Sequence, residues 1–455
     1  MKKKTYEINM TEGPILKKII MFALPMIAGN LLQLLYNTAD LVVVSRWTGS
    51  TAMASVGATS SLTNLIINLC VGLAVGGSIL ISRAFGGGDR EGLQKGVHTA
   101  MCLSLIVGFT AMIVGLLATR PMLTLMGTPE GSVLEGAVLY MSIYFIAVPG
   151  TMVYNFSAAI LRAIGDTKRP LYILSITGIF NVVFNLVFVI VFKWGVAGVA
   201  VSTGIANWLS AAAAVYFLMK TDGDYKLEIK KLKLHREELL ETLRIGIPAG
   251  LQSSMFSISN TVIQSAVNSF GAAAIAGCAA AANIEGYVYT GMNAFHHATV
   301  TGVSQNFGAK KEKRIKQTVA LATMCVFVTG ALLGLVTVIF DRQLLSIYIT
   351  DSAEALEFGK IRILFTGLPY FLCGIMEVLA GALSGIGFST VTAVCSPVGV
   401  CGVRLLWVAF VLPFHRTVGT LFTCWPVSWV LVSIIYFVIF KRVLKSSMYK
   451  VKKTC

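Results

Sequence analysis

Charged residues are scarce in this chain of 455 residues. They make up 13% of it, whereas hydrophobic residues make up 56%. Soluble domains carry about twice that charged share. Because apolar runs also fill nearly the whole chain, a string of water-soluble domains is excluded, and the composition indicates a polytopic membrane protein.

Recognisable enzyme motifs are also missing. There is no GxSxG, no HExxH and no cluster of carboxylates, and the run GGGDREG lacks the GK[ST] ending of a phosphate-binding loop. The nine cysteines form no CxxC pair and lie mostly in apolar runs, which is typical of small hydrophobic side chains. We therefore expect no enzyme, no cofactor and no metal bound by cysteine. A membrane-embedded enzyme such as a prenyl-transfer catalyst would need clustered aspartates.

Positive charge is abundant but unevenly placed. The net charge is +16, and 29 of the 37 Lys and Arg residues lie in the N-terminal tail, four interhelical segments and the C-terminal tail. Seven lie on the opposite side, and Arg404 lies within a span. This asymmetry is the positive-inside pattern and does not indicate a nucleic-acid partner. It predicts a cytoplasmic-membrane protein with both termini in the cytoplasm. The opening stretch MKKKTYEINMTEGPILKK is too polar for a signal peptide, so we expect the N-terminus to be retained.

Twelve apolar windows are long enough to cross about 30 Å of hydrocarbon. They cover residues 17–44, 52–82, 97–118, 137–161, 171–192, 196–219, 246–269, 274–303, 318–340, 361–385, 390–412 and 418–440.

The two halves of the chain resemble each other at a nearly constant offset, which places Ser82 of the first half on Ser304 of the second. LPMIAGNLLQLLYNTADLVV matches IPAGLQSSMFSISNTVIQSA, SRAFGGG matches SQNFGAK, and AILRAIGD matches GALSGIGF. Six spans per half make the repeats parallel, and such folds enclose a substrate cavity between two lobes. We predict an all-α membrane protein with an N-terminal lobe (1–219), a cytoplasmic linker (220–244) and a C-terminal lobe with a basic tail (245–455).

Polar side chains interrupt the spans of the first half. Asp40, near the outer end of span 1, costs roughly 2.5–3.5 kcal/mol in a bilayer. A carboxylate facing a cavity can exchange a proton, a metal ion or a cationic substrate, although it can also extend from a helix end to water. Asn181 and Asn185 are four residues apart and so share one face of span 5. With Asn155 and Thr203 they offer neutral oxygens to a cation, or they join helices by hydrogen bonds.

The second half lacks an equivalent aspartate, since Ile263 or Gln264 occupies that position. It carries Glu285, Glu377 and Arg404 instead. A buried arginine needs an acidic partner, so we predict a structural or gating pair between Glu377 and Arg404, with Glu285 facing the cavity.

Two further features have both a structural and a transport interpretation. Pro25 and Pro248, at matching places in spans 1 and 7, permit hinges, although most membrane prolines only bend a helix. His296 and His297 could relay protons or bond a neighbouring helix. The residues predicted to line the substrate cavity are Glu285, Glu377, Asn293 and Tyr36.

Together, several motifs resemble the multidrug and toxic compound extrusion (MATE) family over essentially the whole chain. They are the stretch from Pro25 to Asp40, LRAIGDTKRP, NVVFN and GVAGVAVST in the first half, and MNAF, SQNFGAKK and MEVLAGALSGIG in the second. The resemblance implies two six-helix lobes that extrude amphipathic, often cationic, compounds against an inward flow of sodium ions or protons.

The resemblance also implies a cation-coupling site in the first lobe. Its residues would be Asp40, Asn155, Asn181, Asn185 and Thr203. Many relatives carry Asp where this chain has Asn185, so the site has one formal negative charge fewer. A Na⁺ site at Asp40 is thereby weakened, and the coupling ion is left open between H⁺ and Na⁺.

The sequence thus predicts a monomeric secondary antiporter that works by alternating access on small-molecule substrates in the lipid bilayer. The alternative is a flippase of lipid-linked oligosaccharides from the same wider superfamily. A flippase would need several arginines in the spans to bind pyrophosphate, and only Arg404 qualifies against three acidic residues.

Overall fold

The chain is a succession of long helices. The computed structural model describes residues 6–128, 130–349 and 352–453, and those ranges contain no β-strand. The helices of the first half are α1 (Ile15–Trp47), α2 (Gly49–Gly87), α3 (Arg90–Leu125), α4 (Ser132–Ala163), α5 (Lys168–Leu186) and α6 (Gly195–Lys220). Those of the second half are α7 (Arg236–Asn268), α8 (Ala272–Gly308), α9 (Glu312–Ile339), α10 (Asp341–Ser346), α11 (Ala353–Arg362), α12 (Tyr370–Gly385), α13 (Ser389–Ser396), α14 (Gly402–Leu406) and α15 (Val418–Lys453).

Short π-helical turns join or extend some of these helices. They cover Val187–Val191 after α5, Ile363–Gly367 after α11, Pro397–Cys401 between α13 and α14, and Trp407–Val411 after α14. In the described ranges nine helices are long and apolar enough to cross a membrane, or ten if α11 and α12, bent by 40°, form one span. Each of the twelve predicted windows lies on a helical segment, which confirms the all-helical membrane fold.

Close helix packing repeats between the halves. In the first half α4 packs against α2, α3 and α6, and in the second α12 packs against α8, α9 and α15. A Cβ atom on Gly108 would lie 2.8 Å from the Cα of Pro149, and one on Gly330 would lie 2.8 Å from the Cα of Phe371. Both pairs are related by the repeat offset, so glycine lets two backbones approach at matching places.

The chain divides into two compact units that differ from the predicted lobes. The first unit contains residues up to 8 and 28–250, and the second contains 9–27 and 251 onwards. Each boundary inside a helix follows a proline by two residues, Pro25 in α1 and Pro248 in α7. The first part of α1 therefore belongs to the second unit, and the first part of α7 to the first. The predicted lobes 1–219 and 245–455, as functional bodies, stay a prediction.

The segment before α1 is held by specific hydrogen bonds. In the first unit the Ile8 N–H donates to the carbonyl of Ile164 over 3.2 Å, and the Tyr225 hydroxyl donates to Glu7 over 3.0 Å. In the second unit the Met10 N–H donates to the Gln305 side chain over 2.7 Å. The segment before α7, predicted as linker, becomes helical already at Arg236.

Candidate functional site

A chain of polar side chains links three helices of the first unit around Asp40. The Asn185 amide on α5 donates a hydrogen bond to the Asp40 carboxylate on α1, and the Ser202 hydroxyl on α6 donates to the Asn185 carbonyl oxygen. Asn185 and Ser202 are fully buried, and Asp40 is half-buried. Asp40 thus faces side chains of neighbouring helices, as a carboxylate placed for function requires.

Asn181 lies one turn along α5 on the same face as Asn185, as the spacing predicts. Its amide donates to the Thr203 hydroxyl over 3.4 Å, and its side chain is 6% exposed. Its carbonyl oxygen is buried and accepts no hydrogen bond. A buried acceptor without a donor is costly, and a protonated carboxyl or a bound cation would satisfy it.

Asn155 and Tyr36 lie outside the hydrogen-bonded set of Asp40, Asn185 and Ser202. Asn155 is half-buried on α4, and no hydrogen bond among the described residues joins it to Asp40, Asn181 or Asn185. The Tyr36 hydroxyl donates to the carbonyl of Ser175 over 3.3 Å, and its ring fills the space where a side chain at position 178 would stand. Tyr36 therefore packs α1 against α5.

A cavity of about 540 Å³ opens in the first unit beyond Asp40, near the end of α1. Its lining includes Trp47, Ser55, Val189, Lys193 and Val196. Val189 belongs to the apolar cluster around Val43, which is nearly one turn beyond Asp40 on α1. The cavity therefore lies close to the polar cluster, on the side of the α1 C-terminus.

In the second unit, Glu285 forms a buried ion pair with Arg362. The distance from Arg362 Nη2 to Glu285 Oε2 is 2.8 Å, and from Nε to Oε1 it is 3.1 Å. The Thr366 hydroxyl donates to the same carboxylate, and Arg362 Nη1 donates to the carbonyl of Cys278 over 3.1 Å. Glu285, predicted to face the cavity, is instead buried against Arg362, which lies one residue inside predicted span 10 and is turned inward.

The predicted pair between Glu377 and Arg404 is also wrong. Glu377 lies beside His296, whose Nδ1 is 3.4 Å from the carboxylate Oε2 and 2.7 Å from the backbone carbonyl of Glu377. Arg404 instead donates from Nη1 to the Asn260 side chain over 3.2 Å and lies 3.8 Å from the ring centroid of Trp425. Glu377 and Arg404 thus each contact a different neighbour from the one predicted.

The polar residues of α8 lie next to Glu377. The Asn293 amide donates to the Tyr289 hydroxyl over 3.3 Å, and the rings of His296 and His297 meet edge to face at 5.2 Å. Both side chains of the Glu377–His296 pair are 18% exposed. The pair is thus more accessible than the Glu285–Arg362 pair, whose side chains are 6% and 10% exposed.

One buried carboxyl lies outside the spans, in the loop between α4 and α5. Burial raises the pKa of Asp166 to about 6, while the backbone N–H groups of Arg169 and Lys168 and the nearby Arg169 guanidinium act in the opposite direction. Asp166 is fully buried, and its Oδ1 accepts from both N–H groups over 3.0 and 3.1 Å. The carboxyl shapes this loop.

Sequence reasoning missed Ser202 and Arg362. Ser202 precedes the predicted Thr203, and its hydroxyl donates the hydrogen bond to Asn185. The only indication of Ser202 in the sequence was a hydroxyl residue that follows the small residues at the start of α6. Within the described ranges no group of three or more His, Cys, Asp and Glu residues is arranged to hold a metal ion. The oxygens around Asp40 are instead one carboxylate plus amides and hydroxyls, a set that suits a proton or a monovalent cation.

Comparison with known proteins gives a consistent result in both halves. A family model described as MatE matches residues 25–187 and 248–409. Probable multidrug resistance protein YoeA of Bacillus subtilis (strain 168) is 28% identical over 408 residues, which cover 88% of this chain and 87% of YoeA.

Solved structures share the fold at lower sequence identity. A MOP superfamily transporter from Pyrococcus furiosus has a TM-score of 0.90 at 22% identity. An outward-facing multidrug resistance MATE family transporter has a TM-score of 0.89, also at 22% identity. Each comparison covers 98% of this chain and 99% of the other. With the family model matched in both repeats, this chain belongs to the MatE family of multi-pass membrane transporters.

Proposed function

We propose that this protein is a secondary antiporter that exports amphipathic organic compounds, among them cations, in exchange for H⁺ or Na⁺ by alternating access. The observation that carries the proposal is the polar chain from Asp40 through Asn185 to Ser202. No cation of the described residues forms an ion pair with Asp40, so its charge is free to be balanced by a transported ion. The relatives named as multidrug resistance proteins support the export of drugs.

The residues around Asp40 fit a transported proton well. When protonated, Asp40 becomes a donor, and the Asn181 carbonyl oxygen is a buried acceptor that lacks one. A Na⁺ ion would be coordinated by oxygens of the same residues, but only one of them is a carboxylate, whereas relatives with Asp at position 185 would supply two. Proton coupling is therefore our first expectation, and Na⁺ is the second.

The cavity beyond Asp40 gives an ion a route from the outer side in the proposed topology, in which both termini lie in the cytoplasm. In the second unit, Glu377 is the accessible carboxylate that would attract cationic substrates, since Glu285 is neutralised by Arg362. We propose that α1 bends near Pro25 when Asp40 is loaded, and that a monomer in the cytoplasmic membrane is sufficient.

The test is gradient-driven efflux of rhodamine 6G from membrane vesicles that carry Asp40→Asn. We expect transport to be abolished while membrane insertion and thermal stability are retained, because the amide cannot take up a proton. The control is Asp89→Asn, which changes the exposed N-cap of α3 and keeps its hydrogen-bond acceptor. Efflux at the wild-type rate by Asp40→Asn would refute the coupling role.

Imposed gradients separate the two ions. A proton gradient alone should drive efflux by the wild-type protein, and a sodium gradient at equal pH should not. Asn185→Asp, which restores a second carboxylate, is expected to add a response to the sodium gradient. If Na⁺ already drives the wild-type protein and protons do not, the coupling ion is Na⁺.

A further inference from the structure

Arg404 on α14 is a buried cation whose charge no carboxylate of the described chain balances. It is 3% exposed, its Nη1 donates to Asn260, and its Nε has no hydrogen-bond partner. The face of Trp425 lies against the guanidinium at 3.8 Å. A cation–π contact and one neutral hydrogen bond offset only part of the cost of burying the charge.

Arg362 shows how this fold satisfies an arginine that serves the structure. It is also buried, at 8% exposed, but its Nε and Nη2 donate to Glu285 and its Nη1 donates to a backbone carbonyl. Its charge is balanced and each of these nitrogens has an acceptor. Arg404 has neither a counter-charge nor a full set of acceptors, so structural support does not account for it.

The surroundings of Arg404 provide donors for an anion. The indole Nε1 of Trp425 is a second buried donor without a partner, whereas that of the neighbouring Trp407 donates to the carbonyl of Thr420 over 2.8 Å. Asn260, which Arg404 reaches, is exposed on α7. A guanidinium and an indole N–H are donors only, and a carboxylate or phosphate group accepts from both types. Asn260 is the exposed member of this set, and a ligand would reach the set there.

We propose that Arg404, Trp425 and Asn260 form a subsite for the anionic group of the transported compound. The substrates then include aromatic zwitterions and anions beside the cations proposed above, with the carboxylate or phosphate at Arg404 and any cationic group directed to Glu377. This inference rests on the proposed transport function and specifies its substrate class. Charge-assisted hydrogen bonds formed away from water contribute enough to prefer the anionic form of a ligand about tenfold.

The experiment compares two dyes that share one chromophore. Rhodamine 19 carries a free carboxylate, and rhodamine 6G is its ethyl ester. Binding to the purified full-length protein in phosphatidylcholine nanodiscs is measured by fluorescence polarisation, with no ion gradient present. We expect the wild-type protein to bind rhodamine 19 about tenfold more tightly. Equal affinity, or tighter binding of the ester, would overturn the proposal without any variant.

Variants then locate the effect. Arg404→Gln should remove the preference for the acid and leave the affinity for the ester within about twofold, and Arg404→Lys should retain part of the preference. Arg416→Gln, which removes one exposed positive charge from the same unit, is the matched control and should behave as wild type. Equal weakening of both dyes by Arg404→Gln would assign the residue a purely structural role and overturn the proposal.

A lipid phosphate is a second source of the same anionic chemistry. Repeating the measurement in phosphatidylglycerol nanodiscs distinguishes a bound lipid from a bound substrate. A preference for rhodamine 19 that persists there supports a substrate subsite. A preference that disappears means that lipid occupies Arg404, and this result overturns the proposal. Dye binding measured without an ion gradient does not depend on how transport is coupled to an ion. A failed Asp40→Asn test with an intact dye preference therefore refutes antiport alone, and the reverse result refutes the anionic subsite alone.

Discussion

The two halves share a scaffold but differ in the charges that they place among their helices. Gly165 and Gly387, which occupy matching places in the two repeats, adopt left-handed φ angles of +89° after α4 and +95° after α12. At the polar cluster the likeness ends. The first unit places the half-buried Asp40 beside the Asn185 amide, and at the same offset Arg404 falls on Val182, beside Asn181. The comparison teaches that the two repeats share their packing and do not share their charges.

The buried charges also differ in what they do for stability. Asp40 has only neutral hydrogen-bond partners among the described residues, whereas Glu285 and Arg362 neutralise each other in the protein interior. We expect the balanced pair to hold the fold, and the unbalanced charges to be available to a transported ion or substrate. The predictions below test this distinction.

The largest effect is expected from the Glu285–Arg362 pair. Glu285→Gln leaves the Arg362 charge uncompensated, and breaking one side of a buried pair costs about 3–5 kcal/mol of unfolding free energy. Thermal unfolding, followed by size-exclusion chromatography after heating, measures the loss. The double variant Glu285→Met/Arg362→Met should regain most of it. Asp40→Asn should cost under about 1 kcal/mol, and a loss as large as that of Glu285→Gln would break the comparison.

A second effect concerns Asp166, whose repeat counterpart is Phe388. Its pKa is about 6 in the folded chain against the ordinary 3.8, so the folded state holds the proton more tightly. The free energy of unfolding is therefore highest below pH 4, falls by about 3 kcal/mol as the pH rises to 6, and is constant for this group above that value. Ionisation of this buried carboxyl weakens the first unit.

Asp166→Asn tests this pH dependence. The Asn carbonyl oxygen can still accept from the N–H groups of Lys168 and Arg169, so the loop should be preserved. We expect the variant to melt several degrees higher than wild type at pH 7 and equally at pH 4, as measured by intrinsic fluorescence. Asp89→Asn, which makes the same substitution at an exposed cap, is the matched control. A wild-type profile for Asp166→Asn would contradict the assignment.

How far the sequence predicts this protein follows from the same comparison. Apolar windows and the internal repeat predict the helices, because an apolar run long enough to cross the bilayer can be recognised from the composition of the segment alone. The spacing of Asn181 and Asn185 predicts a shared face, which the structure confirms. The charge pairs were not predictable, because Glu285 and Arg362 are 77 residues apart and their meeting depends on how two helices are rotated. Arg404 was identified as buried, but the wrong partner was assigned to it.

The smallest effect concerns a hydrogen bond that both halves retain. The Ser82 hydroxyl donates to the carbonyl of Ala163 over 3.1 Å, and the Ser304 hydroxyl donates to that of Gly385 over 3.3 Å. All four positions follow the repeat offset, and both serines are fully buried. Removing either hydroxyl should cost about 1 kcal/mol. Ser82→Ala and Ser304→Ala should therefore lower the melting temperature equally. Each variant removes the same hydrogen bond from the same place in its repeat. A clear difference between their melting temperatures would therefore mean that this bond contributes unequally to the stability of the two halves.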